Sequence, residues 1–193
     1  MPRLEFFEAN HEYRLDGVRV PSVTQVLQSA GIIDYSSVPE EWRNFALTRG
    51  SAVHHACRLL DENDLDRKTL DSSLDGYIRA YERFLADSGA RPISIEQCVS
   101  NELMRYAGTL DRIYDVGGMR VLADLKTSLV PNWTGIQISA YAACISGVDT
   151  FLKRWGVALR DDGTYRIETF EDTMDWDIFV SALAVHNWKK NHE

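Results

Sequence analysis

The spacing of apolar residues changes character along the chain, from helical to alternating and back. Tyr13 and Leu15, then Asp16-Gly17, then Val18 and Val20 predict a hairpin, because Asp-Gly accepts the positive φ that tight turns need. Pro21 and Ser22 start a helix whose apolar stripe is Val23, Val26 and Leu27. Ser36 or Ser37 is placed to cap a second helix beginning near Pro39, with Trp42, Phe45 and Ala46 as its buried face. Arg49-Gly50 interrupts that pattern, and a third helix runs through Ala52, Val53, Ala56, Leu59 and Leu60. The polar stretch from Asp61 to Ser73 reads as loop. Leu74, Tyr77, Ile78, Tyr81, Phe84 and Leu85 share one face of a long helix that ends at Gly89, a usual C-cap residue.

From Arg91 the period becomes two. Ile93, Ile95 and Val99 belong to one strand, Tyr106 to Val116 to a second, and Arg120 to Lys126 to a third across a Gly117-Gly118 turn. Trp133 to Ile145 is helical again. Phe151 to Leu159 and Tyr165 to Phe170 form another strand pair around Asp161-Asp162-Gly163, and an amphipathic helix runs from Met174 to near Lys189. The expected architecture is α/β (or α+β): a central mixed β-sheet containing an antiparallel meander, flanked by helices, in a single domain over 1–193.

Composition narrows the function. With 193 residues, 45% hydrophobic and 26% charged, the chain can bury a core without disulfides or a structural metal, and it is not disordered, collagenous or coiled-coil. Acidic residues outnumber basic ones by 29 to 21, a formal charge of −8, which argues against retention on nucleic acid by bulk charge. Nucleic acid approached through bound cations stays open. No apolar leader and no long apolar run is present, so a cytoplasmic protein with no membrane partner is expected. Cys57, Cys98 and Cys144 form no disulfide framework and read as reduced, mostly buried thiols.

The chemistry concentrates between Gly108 and Ser128. Asp111 lies in one predicted strand; Asp124 and Lys126, at i and i+2, share a face of the next. Carboxylates on adjacent strands, with the carbonyl of Leu125 between Asp124 and Lys126, suit a hard cation such as Mg²⁺ or Mn²⁺. A lysine beside them can orient a water and stabilise charge developing on a phosphate. The same three residues could instead be a cross-strand ion pair on a solvated face. Their neighbours Leu110, Ile113, Val121, Leu122, Ala123 and Leu125 are apolar, which makes unbound charges costly there. Upstream, Arg49-Gly50-Ser51-Ala52-Val53-His54 places a histidine on a helix, where it is either a ligand or a partly buried polar group. His54, His55 and Cys57 lack a second Cys/His pair at zinc spacing. Asp61 to Asp66 fails as a calcium loop because Leu65 takes a ligand position. Downstream, Gln137 and Tyr141 lie one helical turn apart and can hold a phosphate, or form a polar helix edge.

Taken in order, Gly-x-x-x-His, Gly-x-x-Asp, Asp-x-Lys and Gln-x-x-x-Tyr resemble the PD-(D/E)XK nuclease superfamily, and within it the RecB-type exonuclease branch. Pro21 to Leu27, Arg49-Gly50, Gly108-Thr109-Leu110-Asp111 and Asp124-Leu125-Lys126-Thr127-Ser128 are most similar to the mitochondrial genome-maintenance exonuclease group and its bacterial and phage relatives. The resemblance spans Val20 to Ile145, about two-thirds of the chain. It implies a restriction-endonuclease-like core and metal-assisted hydrolysis of DNA from its ends, single-stranded or duplex. Asp111, Asp124 and the Leu125 carbonyl would hold one or two Mg²⁺ or Mn²⁺ ions, with His54 as a further ligand. Lys126 would position the attacking water, and Gln137 and Tyr141 would touch the DNA backbone. Glu102 is a weaker candidate for an additional acid. Arg49 and Arg112, each beside a site residue, are candidate DNA contacts, and Trp133 could stack on a base.

The proline of the superfamily's name is Leu110 here. Some RecB-type nucleases carry a four-cysteine iron–sulfur cluster; three cysteines, none beyond 144, predict no iron–sulfur cluster, and the lack of a phosphate loop predicts no ATP. A recombinase or a single-strand-binding protein is an implied partner. Trp155, Phe170, Trp176, Phe179 and Trp188 either pack or offer a surface for a homo-oligomer. A structure-specific endonuclease of the same fold and a non-cleaving nucleic-acid-binding protein are the alternative readings.

Overall fold

A computed structural model describes residues 3–145 and 152–192, and it builds two sheets. The first holds β1 (Leu4–Phe7), β2 (Glu12–Leu15) and β3 (Val18–Val20), all antiparallel. It contains the predicted hairpin, with Asp16 and Gly17 both at positive φ, and adds β1, whose alternation is too short to read from sequence. Helix α1 (Val23–Ser29) follows at once, closed by a reciprocal capping box between Ser22 and Gln25.

The second sheet is the frame of the molecule. Its order is β4 (Arg91–Asn101), β5 (Tyr106–Val116), β6 (Met119–Thr127), β7 (Lys153–Leu159) and β8 (Tyr165–Phe170). β4, β5 and β6 form the expected antiparallel meander, β7 runs parallel to β6, and β8 antiparallel to β7. The sheet is therefore mixed. The parallel step from β6 to β7 is bridged by α4 (Thr134–Ala142). Phe151, expected at the start of β7, lies outside the described residues.

Helices cover both faces. On one, α1, α4 and α5 (Met174–His192) pack Val26, Leu27, Ile138, Tyr141, Phe179 and Leu183 against Leu110 and Leu122. On the other, α2 (Glu40–Asp61) and α3 (Asp75–Ser88) pack Val53, Cys57, Ile78 and Phe84 against Val121, Ala123 and Leu125. Strand β6 thus alternates strictly: Val121, Ala123 and Leu125 face α2 and α3, which turns Asp124 and Lys126 towards the α4 side with Leu122. Cys57 is buried, and Cys98 and Cys144 are half-buried. No helix among the described residues is long and apolar enough to cross a membrane.

Two helical expectations are corrected. The second and third predicted helices are one, α2, with Pro39 at its N-cap in place of Ser36 or Ser37, and Gly50 inside it. A glycine there costs about 1 kcal/mol but does not end a helix that other residues support. Trp42 and Phe45 are also not core. They are 63% and 60% exposed, and the buried positions of α2 (Val53, Ala56, Cys57) all fall in its second half.

Candidate active site

The site is made by a fork in the sheet. The β5–β6 register runs from Val116↔Met119 to Arg112↔Ala123 and stops there. Beyond it β5 stays with β4 as far as Tyr106, while β6 stays with β7 as far as Thr127. The separating strands leave backbone groups without ladder partners, and these must be satisfied otherwise. Asp111 supplies one answer: its Oδ2 accepts from the Leu125 N–H at 2.7 Å, replacing a ladder bond with a side chain. The N-terminal segment supplies another, with Ala107 N–H donating to the Pro21 carbonyl at 3.0 Å. The fork thereby brings Asp111, Asp124 and Lys126 to one point.

His54 reaches that point from α2. Its Nε2 lies 3.0 Å from the Leu125 carbonyl, which can only accept, so Nε2 carries a proton. The other ring nitrogen faces Asp111 Oδ1 at 3.6 Å. Asp124 is buried, and its Oδ2 lies 2.5 Å from Lys126 Nζ. A carboxylate oxygen has two lone pairs, so this one contact leaves Oδ2 capacity for a further partner. Burial raises the Asp124 carboxyl to about 6, the nearby ammonium only partly offsetting it and Asp111 adding to it. For Lys126, burial acts downward, but Asp124 and Asp111 outweigh it and hold the ammonium protonated.

Lys126 is held from behind. Its Nζ donates to Gln137 Oε1 at 3.4 Å, and Gln137 Nε2 donates to the Tyr141 hydroxyl at 3.2 Å. Gln137 and Tyr141, expected to meet the DNA backbone, are 8% and 5% exposed and make their hydrogen bonds within this chain. Gly108 accommodates this burial, since a Cβ there would lie 2.5 Å from Tyr141 Cε1. Gly108→Ala is expected to displace the ring and cost about 1–3 kcal/mol, lowering the unfolding midpoint by several degrees in a thermal melt. An unchanged midpoint would mean that the ring yields freely.

The two arginines differ from expectation. Arg112 follows Asp111, so it points to the opposite face, and it is wholly buried. Its Nε donates to Asp61 at 2.7 Å and its Nη1 to the Asp111 carbonyl at 2.8 Å, which removes it as a DNA contact and makes it an internal support for the β5 turn-off. Arg49 lies over the Phe45 ring at 5.5 Å and is absent from the cleft wall. Trp133 does line the cleft, with Lys126 Nζ 5.1 Å above its ring. Glu102 is exposed in the β4–β5 turn and is not part of the cleft wall. An acid that does line the cleft, beside Asp111, is Glu96. The pairs Ile95↔Arg112 and Gln97↔Leu110 set Glu96 opposite Asp111. Its φ of 46° is a strained conformation costing about 1–3 kcal/mol, of the kind that collects at functional sites. Its carboxylate lies 3.8 Å from Arg58 and 3.9 Å from Arg112. Only a register could have revealed it, and sequence does not supply one.

The fit to a cation can be judged from these groups. Among the described residues no three His, Cys, Asp or Glu side chains make a ready-made ligand cluster. A dry, all-protein cage for zinc or calcium is therefore not what is built. Mg²⁺ or Mn²⁺ needs less, because it keeps waters and takes one or two carboxylates plus substrate phosphate. Asp111, the under-used Oδ2 of Asp124 and the Leu125 carbonyl meet that requirement with hard oxygens, and His54 flanks them. The site opens into a cleft of about 850 Å³ whose walls include His54, Glu96, Leu125, Lys126 and Trp133.

No protein-family model matches the chain. No curated protein matches it either. A solved structure, an alkaline exonuclease from Laribacter hongkongensis, is similar at 12% identity and a TM-score of 0.40, over 89% of this chain and 92% of that one. A likeness of that degree decides neither family nor activity; the chemistry of the side chains has to.

Proposed function

We propose that the protein is a Mg²⁺- or Mn²⁺-dependent exonuclease that hydrolyses phosphodiester bonds from DNA ends. The observation that carries this reading is the sheet fork, which gathers two carboxylates, a lysine and a histidine at one point, the lysine and the histidine lining an open cleft and the carboxylates set behind them. A structural ion pair between Asp124 and Lys126 would need neither the second carboxylate nor the cleft.

Asp111, Asp124 and the Leu125 carbonyl would hold the cation, with His54 beside them. When bound, it would supply Lewis-acid stabilisation of charge on the phosphate oxygens. Lys126, kept protonated by its two acidic neighbours, donates to the attacking water or to a phosphate oxygen and fixes its direction. Gln137 and Tyr141 hold the ammonium where that donation is possible, so they act as positioning residues. Arg58 and Arg43, on the cleft wall, attract the phosphate backbone.

The test uses end-labelled linear and closed-circular single-stranded DNA with Mg²⁺, Mn²⁺ or EDTA, for wild type and Lys126→Ala. Degradation of the linear DNA alone, dependent on metal and lost with Lys126→Ala, is expected. Cutting of the circle would mark an endonuclease. Binding without cleavage under either metal would mark a non-cleaving nucleic-acid-binding protein and make the acidic pair structural.

A further inference from the structure

Among the described residues none buries the apolar side chains of the first half of α2, yet it is not polar. Trp42, Phe45 and Leu47 are each at least 60% exposed on it, against an expectation that such residues are covered. Trp42, Ala46, Gly50 and His54 recur every four residues and all line the cleft, so one stripe of the helix leads from the exposed indole to the site. Twelve residues of helix separate Trp42 from His54, a rise of about 18 Å. Across the cleft stand Tyr35, Leu129 and Trp133. Between the aromatic groups the α2 wall is low, since Ala46, Gly50 and Ser51 carry little or no side chain.

From this we infer that the cleft is a stacking path for a single nucleic-acid strand, entering at Trp42 and ending at the Lys126 site; the inference rests on the nuclease reading of that site. Three features select this occupant. The path is continuous with the proposed reaction centre. Its two tryptophans stand apart, Trp42 about 18 Å along α2 from His54 and Trp133 beside Lys126, where a protein partner's core would want them clustered. The charged lining is nearly balanced, with Arg43, Arg58 and Lys126 against Glu8 and Glu96, so the phosphates alone gain little. Affinity must then come from bases stacked on rings, which requires that they be unpaired. An 18 Å path accommodates about five nucleotides at the stacked rise of 3.4 Å.

The experiment measures binding apart from cleavage, in EDTA, by fluorescence anisotropy of a labelled thymidine decamer. Wild type, Trp42→Ala and Trp42→Phe are compared, with Trp188→Ala, an exposed tryptophan on α5, as control. Trp42→Ala is expected to weaken binding at least about fivefold, as loss of one stacked base does, with Trp42→Phe recovering most of it and Trp188→Ala unchanged. An abasic decamer should bind wild type more weakly than the thymidine decamer binds Trp42→Ala, because it loses every stacked base and not one. With three cations on the path, the salt slope should be about −2 in log–log form. Equal binding of the abasic decamer, equal binding of blunt duplex, or no effect of Trp42→Ala would overturn the stacking path. Sedimentation showing a dimer that Trp42→Ala dissolves, without decamer binding, would overturn it in favour of a self-interface. Cleavage by wild type with Mg²⁺ is read separately, so the nuclease reading can survive the loss of this one.

Discussion

Asp124→Asn is expected to lower kcat/KM on single-stranded DNA by about a thousandfold or more, and at the same time to stabilise the metal-free protein at pH 8. The loss follows from removing a hard anionic ligand; the charge stabilisation a bound cation gives a phosphate is worth several kcal/mol. The gain follows from burial. In the folded protein the carboxyl is raised to about 6, above its ordinary value near 3.9, because its ionised form is desolvated. A group whose folded value is raised holds its proton more tightly when folded, so the metal-free protein gains stability as pH falls from about 6 towards 4. Above pH 6 the ionised carboxylate is a cost, on the order of 2 kcal/mol, which the neutral amide avoids. Asp111 remains to balance Lys126. The variant should therefore melt roughly 4–8 °C above wild type at pH 8, with the difference vanishing near pH 4. Adding Mg²⁺ should raise the wild-type midpoint and leave that of the variant unmoved, since a ligand stabilises only the state that binds it. Retained activity would remove Asp124 from the reaction. A variant less stable than wild type at pH 8 would mean that the Lys126 contact outweighs burial, and the pair would then be structural.

The sequence showed the site's chemistry better than its geometry. Asp111, Asp124 and Lys126 were legible because a strand's period of two is short-range, and the two glycines after Val116 fix where the meander turns. The mixed sheet flanked by helices followed from the same alternation. Long-range facts were not legible. The fork between β5 and β6 depends on which strands part, and no residue announces it. Glu96 was missed because its neighbourhood with Asp111 is a register, and attention went to Glu102, which the turn carries out to solvent. Gln137 and Tyr141 were recognised as a pair, but their link to Lys126 is set by how α4 crosses the sheet. Trp42 and Phe45 have helical spacing identical to that of a buried stripe. Periodicity reports that a face is apolar; it cannot report that nothing lies against it. The apolar arm of α2 is thus one place where pattern and burial disagree, and it is there that a ligand surface is proposed.

Arg112 shows the same limit from inside, and removing its partner is expected to have the largest effect on folding. The guanidinium and Asp61 are both wholly buried and hydrogen-bonded at 2.7 Å. Tyr81 donates to the same carboxylate at 2.9 Å, and its hydroxyl also meets that of Tyr114 at 2.8 Å. Even so, burial dominates and the Asp61 carboxyl sits above its ordinary value. One guanidinium nitrogen, Nη2, has no hydrogen-bond partner among the described residues. The network is therefore expensive, and its worth lies in tying the C-terminal end of α2 to the backbone of Asp111. Asp61→Ala leaves a buried cation unbalanced and is expected to cost about 3–5 kcal/mol, lowering the unfolding midpoint by about 10 °C or more. The double variant Asp61→Leu with Arg112→Met removes both charges together, and should recover most of that loss, because apolar replacement of a buried pair is often neutral or better. Its activity should not recover. Without the guanidinium on its carbonyl, Asp111 loses the support that sets its angle to Leu125 and His54, and a displacement of an ångström at a reacting group costs about a hundredfold. Thermal melts and kcat/KM of wild type and the two variants separate the two roles. A double variant as active as wild type would reduce the network to packing alone, and one as unstable as Asp61→Ala would mean that the pair, despite its desolvation, is a net source of stability.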